Sequence, residues 1–201
     1  LAMNSPELEI LGITTVQGNV PVERGFSNAS YLVNELNQSI PVHTGRPGTF
    51  DKDRNKKREW LAQREQMEQL TPIRSLDEDN KGAPLFIVEA CKENSKEIEL
   101  VTIGPLTNVA QALEIDPELS QHVNKITMMG GAATVQGNVT PAAEFNIWAD
   151  PESAANVFKS GIPIRMVPLD VCHKTRFSRE QLNAINKNKH PFCQFVQESV
   201  D

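Results

Sequence analysis

The 201-residue chain is 39% hydrophobic and 23% charged, a balance that excludes a disordered chain, and it holds no apolar run long enough to span a bilayer. A formal net charge of -6 and a pI near 5.3 repel a nucleic-acid backbone, leaving a small uncharged or cationic ligand as the expected partner. The length fits one α/β domain with a sizeable core.

The opening residues Leu1-Ala2-Met3-Asn4-Ser5-Pro6 have no initiator Met and none of the basic or apolar regions of a signal peptide. They read as the last turn of a helix that begins upstream, so a targeting signal lies beyond view. The run from Leu8 to Val16 is rich in β-branched residues and predicts a strand, closed by a Gly18-Asn19 turn. Phe26, Ala29, Leu32, Val33 and Leu36 then follow helical spacing, and Ile40-Pro41-Val42 predicts a second strand.

Between Arg46 and Gly82 the pattern gives way to a charge-rich stretch with Trp60, Leu61, Arg64 and Met67 along one helical edge. Because it carries both charge signs, residues 46–82 predict a solvated helical excursion, peripheral to the chemistry, rather than a nucleic-acid arm. Helices are then predicted from Pro84 to Glu93, from near Pro105 and from Pro151 to Lys159, with strands at Ile98 to Ile103, Lys125 to Met129 and Ile164 to Val167. Ser178 predicts the N-cap of a last helix. This alternation is that of βαβ units, hence an α/β fold with a mainly parallel sheet flanked by helices. Cys91, Cys172 and Cys193 are odd in number, widely spaced and without a CxxC pair, which argues for reduced thiols in a cytoplasmic setting.

Ligands of such folds sit beyond the carboxyl ends of the strands. Four places follow from that rule: Gly18-Asn19, Gly104 to Asn108, Gly130-Gly131 and Asp170. The densest cluster of polar groups lies just beyond the third, where Asn138, Glu144 and Asn146 put two carboxamides and a carboxylate in one short stretch. A hydroxyl both donates and accepts, so this set suits a polyol. The same residues admit a purely local reading, with Asn138 in a turn, Asn146 and Asp150 capping local structure and Glu144 exposed. No GxGxxG follows a predicted strand, which disfavours a dinucleotide-binding domain.

The segments LEILGITTVQGN, LVTIGPLTNVAQAL, ITMMGGA, GNVTPAAEFNIWADPESAANVF and MVPLDVCH, in this order, resemble the core motifs of the inosine-uridine nucleoside hydrolases. They cover most of residues 7 to 37 and 84 to 175. The resemblance implies a single partial domain over residues 1–201 with a Rossmann-like core whose first strand is missing from the sequence. It implies hydrolysis of the N-glycosidic bond of ribonucleosides to ribose and free base, with a Ca2+ ion that binds ribose hydroxyls and the attacking water. Such a reaction passes through an oxocarbenium-like sugar, so it needs an activated water, a fixed ribose and help for the departing base.

Carried over by motif position, Asn19 lies beside the ribose and metal, the backbone carbonyl of Ile103 is a calcium ligand, and Met129 contacts the sugar. Asn138, Glu144 and Asn146 grip the ribose hydroxyls. Met129 reads equally well as strand core. The family's aspartate cluster and its distal His-Asp motif, which supply most calcium ligands, the water-activating base and a leaving-group contact, do not occur in the sequence. The 201-residue chain is therefore expected to be inactive by itself, whether it belongs to an enzyme or to a non-catalytic riboside-binding relative or subunit. His173, in the LDVCH motif, reads as structural, and His43 is expected just after a strand end, facing a ligand. A small-molecule nucleoside is the implied partner, with no nucleic acid and no membrane, and self-assembly into a homo-oligomer is compatible with the resemblance.

Overall fold

A computed structural model describes residues 2–48, 82–176, 178–187 and 193. All but the two ends of the 46–82 excursion, Trp60 included, lies outside the described residues. After a 3-10 turn at Ala2–Asn4 come β1 Ile13–Thr15, α1 Val22–Glu35, β2 Val42–Thr44, α2 Ala83–Glu93, β3 Glu99–Thr102 and α3 Thr107–Ile115. The order continues with α4 Leu119–His122, β4 Lys125–Met129, α5 Phe145–Ala149, α6 Pro151–Lys159, β5 Ile164–Val167, α7 Leu169–Cys172 and α8 Arg179–Asn186.

Every strand pairing among these elements is parallel. β1 pairs with β2, Ile13 opposite Val42, and β4 lies between β3 and β5, with Ile126 opposite Leu100 on one side and Ile164 on the other. The expected parallel α/β architecture is present, with helices packed against strands. Along β4 the burial alternates: Ile126 and Met128 are 0% and 1% exposed, while Lys125, Thr127 and Met129 are only partly covered. That period of two places Ile126 and Met128 in a core with Val88, Leu106, Val109, Leu119 and Val157, and turns Met129 to the other face. Each such fully buried aliphatic side chain stabilises the fold by roughly 1.5–3 kcal/mol. The strand-core reading of Met129 thus gives way to its neighbour Met128.

Among the described residues β1 and β3 share no ladder, yet their carboxyl ends meet. The Asn108 carboxamide donates to the Thr15 carbonyl at 2.9 Å, and the Gly45 amide donates to the same oxygen at 2.9 Å. A Cβ on Gly45 would lie 2.3 Å from Asn108 Oδ1 and 2.7 Å from the Thr15 oxygen, so glycine is required at this approach. Next to Asn108, the Thr107 hydroxyl donates to the fully buried Asp150 carboxylate, which also caps α6 by accepting from the Ser153 amide and hydroxyl. The adjacent pair Thr107-Asn108 therefore locks the start of α3 to both β1 and α6.

Several expectations need correction. The first strand is Ile13–Thr15 rather than Leu8 to Val16, because its parallel partner offers only three residues; Leu8 and Leu11 are exposed. The second is Val42–Thr44, not Ile40 to Val42, since Pro41 has no N–H to donate and contributes only its carbonyl, to the Ile13 amide. His43 accordingly sits inside β2, not after it, and its ring stacks on Phe86 of α2 with centroids 4.1 Å apart, directed at a helix instead of a ligand. The helix expected from near Pro105 is present as Thr107–Ile115, with Leu106 as N-cap. The short helices α4, α5 and α7 span too few residues to show a period. Ser178 does cap α8, with Gln181 completing a reciprocal capping box. Cys91 is fully buried, and burial pushes its thiol up to about 11, which makes it a poor nucleophile. Among the described residues no helix is long and apolar enough to cross a membrane.

Candidate functional site

At the carboxyl ends of the strands lies a cavity of about 640 Å³, a size suited to a small molecule. Asn19, Ile103, Met129, Asn138, Val139, Glu144, Phe145, Asn146 and Trp148 line it. Asn19 follows β1, Ile103 follows β3, Met129 ends β4, and the rest come from the β4–α5 loop and α5. All six residues singled out in the sequence thus border one space, although they span 128 positions of the chain, from Asn19 to Asn146 counted inclusively. Among the described residues, Glu144 is the one ionisable side chain in that lining.

The local geometry merges the two sequence readings of the cluster. A helix starts with four amides that lack intrahelical partners. In α5 the Phe145 amide donates to Asn138 Oδ1 at 2.8 Å, and the Asn146 and Ile147 amides donate to the Glu144 carboxylate at 2.9 and 3.3 Å. The Trp148 amide donates to the Glu144 carbonyl at 2.8 Å, completing the first turn. From the opposite side the Gly131 amide reaches the Glu144 carboxylate at 2.9 Å. Glu144 is only 2% exposed, so the expectation of an exposed carboxylate fails: its oxygens are drawn inward by three backbone amides.

Asn146 does not cap the helix with its side chain. Its NH2 group donates to the Met129 carbonyl at 3.0 Å, to Met129 Sδ at 3.3 Å and weakly to the Ile103 carbonyl at 3.4 Å. The ends of β3 and β4 are thereby fastened to α5. These bonds use the donor end of Asn146 and leave its Oδ1 as an acceptor, whereas Asn138 uses its Oδ1 on Phe145 and keeps its NH2 group as a donor. One carboxamide offering each function is a fit to neighbouring hydroxyls.

Sequence reasoning missed three lining residues, Val139, Phe145 and Trp148. Phe145 and Trp148 stand at i, i+3 on one side of α5, a helix too short for that spacing to be legible in the sequence. Asp170 and His173 lie outside the cavity lining, and His173 is exposed at the end of α7. The Asp170 carboxylate instead accepts from the Thr134 hydroxyl and from the Ala133 and Thr134 amides at 2.9 Å each. The Thr134 hydroxyl first, then the Ala133 amide, hold its carboxyl down from 3.8 to about 2. A depressed carboxyl stabilises the folded state above its unfolded value of 3.8 and loses that contribution as the pH falls to about 2. Urea unfolding across that window should therefore show a shallower loss of stability with acid for Asp170→Asn than for the parent, and coincident slopes would refute the assignment.

Among the described residues no group of three or more His, Cys, Asp or Glu is arranged to hold a metal ion. Calcium takes six to eight oxygen ligands, several of them carboxylates. The cavity offers the Ile103 carbonyl and neutral carboxamides, with its single carboxylate engaged by amides, so these residues by themselves do not fit that ion.

Comparison with known proteins bears on the whole chain. The sequence profile described as "Inosine-uridine preferring nucleoside hydrolase" matches residues 1–201. The chain is 37% identical over 202 residues to "Pyrimidine-specific ribonucleoside hydrolase RihA" of Shewanella sp. (strain ANA-3), covering all of this chain and 63% of that protein. It is 35% identical over 204 residues to "Probable uridine nucleosidase 2" of Arabidopsis thaliana, again covering all of this chain and 63% of that one. Among solved structures, the "Purine-Preferring Ribonucleoside Hydrolase from Gardnerella vaginalis" superposes with a TM-score of 0.86 at 31% identity, covering 96% of this chain and 63% of that one. The chain thus spans less than two thirds of the length of these relatives. With its motifs in order, its parallel α/β fold and a profile match from end to end, the chain belongs to the inosine-uridine preferring nucleoside hydrolase family.

Proposed function

We propose that the protein represented by this chain hydrolyses the N-glycosidic bond of ribonucleosides, and that the described residues form the part of its site that holds the ribose. The observation that carries this reading is the gathering of Asn19, Asn138, Glu144 and Asn146 around one cavity at the ends of three parallel strands. Asn138 donates to a sugar hydroxyl and Asn146 accepts from one, while Met129, Val139, Phe145 and Trp148 supply apolar walls that keep bulk water from the sugar. Asn19 approaches from the end of β1 and closes the polar side.

Glu144 is held by three amides and serves to shape the site rather than to take a proton from water. The described residues therefore provide neither a water-activating base nor a calcium cage, and ribose contact is the role that they support. The relatives are named for pyrimidine, uridine and purine ribonucleosides, which supports the ribonucleoside as a class and not one base. A second reading, a riboside-binding relative without catalysis, rests on the same gathering of carboxamides, which would hold a ribose whether or not a water is activated.

The test is ribose release from uridine and inosine, measured for the full-length gene product and for the 201-residue chain, each with and without a chelator. We expect chelator-sensitive release by the full-length product and none by the 201-residue chain. Tight ribonucleoside binding without release by the full-length product would establish the second reading, and no binding at all would sink both.

A further inference from the structure

The loop between β4 and α5, residues 130–143, forms neither helix nor strand, yet it carries Asn138. Its near end is fixed to β5 and α7 by backbone bonds, from the Gly130 amide to the Val167 carbonyl at 3.3 Å and from the Leu169 amide to the Gly131 carbonyl at 3.0 Å. Its far end is a closed turn, in which the Gly137 amide donates to the Pro141 carbonyl at 3.1 Å and the Val139 amide to the Ala143 carbonyl at 3.1 Å. A Cβ on Gly137 would lie 2.2 Å from the Ala143 carbonyl oxygen, so this turn leaves no room for a side chain there.

Between the two ends stands Asp170. Its carboxylate gathers the Ala133 amide, the Thr134 amide and the Thr134 hydroxyl, two oxygens meeting three donors. Only Val135 and Gln136 then separate this clamp from Gly137, and both are exposed. The path of the chain into the turn that presents Asn138 is set at this clamp and, on the other side, at the first amide of α5.

We propose that Asp170 is a positioning residue for sugar binding, which fixes Asn138 through the loop without touching substrate. Its position outside the cavity lining and its grip on Ala133 and Thr134 are the grounds. The sugar-holding role of Asn138 is taken from the function proposed above, on which this inference rests. An amide at position 170 keeps one acceptor but turns an NH2 group towards at least one backbone N–H, so Asp170→Asn weakens the clamp and Asp170→Ala removes it. Thr134→Val removes the hydroxyl arm alone and serves where the stronger changes impair folding.

The experiment is a double-mutant cycle in the full-length gene product, with hydrogen exchange read in parallel. Asp170→Ala should lower kcat/KM for uridine or inosine about 10- to 100-fold, chiefly through KM, with Asp170→Asn and Thr134→Val intermediate. In an Asn138→Ala background the same change should have less than about a twofold further effect, because the group it positions is gone. Amides of residues 133–139 should exchange faster in Asp170→Ala while those of β4 stay protected. Multiplicative losses in the cycle, or unchanged exchange at 137–139, would overturn the inference. If the parent releases no ribose, the functional reading fails on its own, and the exchange measurement alone then decides whether Asp170 sets the loop.

Discussion

Glu144→Ala lowers the stability of the protein by about 2 to 4 kcal/mol: roughly 1 for the lost helix cap and about 1 to 3 for the Gly131 amide left without a partner. The magnitude follows from the geometry, because this one carboxylate serves the Asn146, Ile147 and Gly131 amides from a site 2% exposed. In a domain of this size that is a fall of roughly 5 to 15 °C in Tm. Glu144→Gln keeps one acceptor oxygen and should lose less than half as much. The loss is to be read by thermal and urea unfolding monitored by circular dichroism. A residue that merely touched ligand would leave the unliganded protein's stability unchanged when truncated, and that outcome would remove Glu144 from the frame of the site.

The second large effect concerns Asn146. In the full-length gene product Asn146→Ala should lower kcat/KM about 100- to 1,000-fold, the size typical for removal of one preorganised polar contact to a reacting centre. Turnover should fall more than binding of the free base, since the sugar carries the charge that develops in the reaction. Asn146→Asp separates the site reading from a simple demand for polarity. It is nearly isosteric, yet its carboxylate cannot donate, and would face the Met129 and Ile103 carbonyl oxygens where the amide nitrogen now lies at 3.0 and 3.4 Å. The aspartate variant should therefore be at least as impaired as the alanine variant, and less stable. Activity within threefold of the parent for either variant would exclude Asn146 from the ribose site.

Much of this arrangement was legible in the sequence, for reasons that differ by residue. β4 and β5 were read correctly because Lys125–Met129 and Ile164–Val167 are short runs dominated by Ile, Met and Val, paired along their whole length. β1 was overextended because its ladder depends on a partner of three residues, a fact of tertiary pairing with no local signature. The convergence of Asn19, Ile103, Met129, Asn138, Glu144 and Asn146 followed from the rule about strand ends and from the motif order. The inward turn of Glu144 did not, since it depends on the β4–α5 loop folding back to bring the Gly131 amide onto the carboxylate. His43 failed for a similar reason: its stacking partner, Phe86, is more than forty residues away and joined to it only by folding.

The double service of Asn138 and Glu144 as caps of α5 and as walls of the cavity has a consequence for how such chains diverge. A copy that has lost catalysis is released from selection on turnover but remains under selection to fold. Because α5 uses an oxygen on Asn138 and a carboxylate on Glu144 to complete its first turn, these residue types should persist in active and inactive descendants alike. Drift would first erase residues that serve only chemistry, while a motif such as GNVTPAAEFNIW outlives the reaction that it once served. Divergence among relatives of this chain is thus best tracked at lining positions without a capping bond of their own, such as Val139.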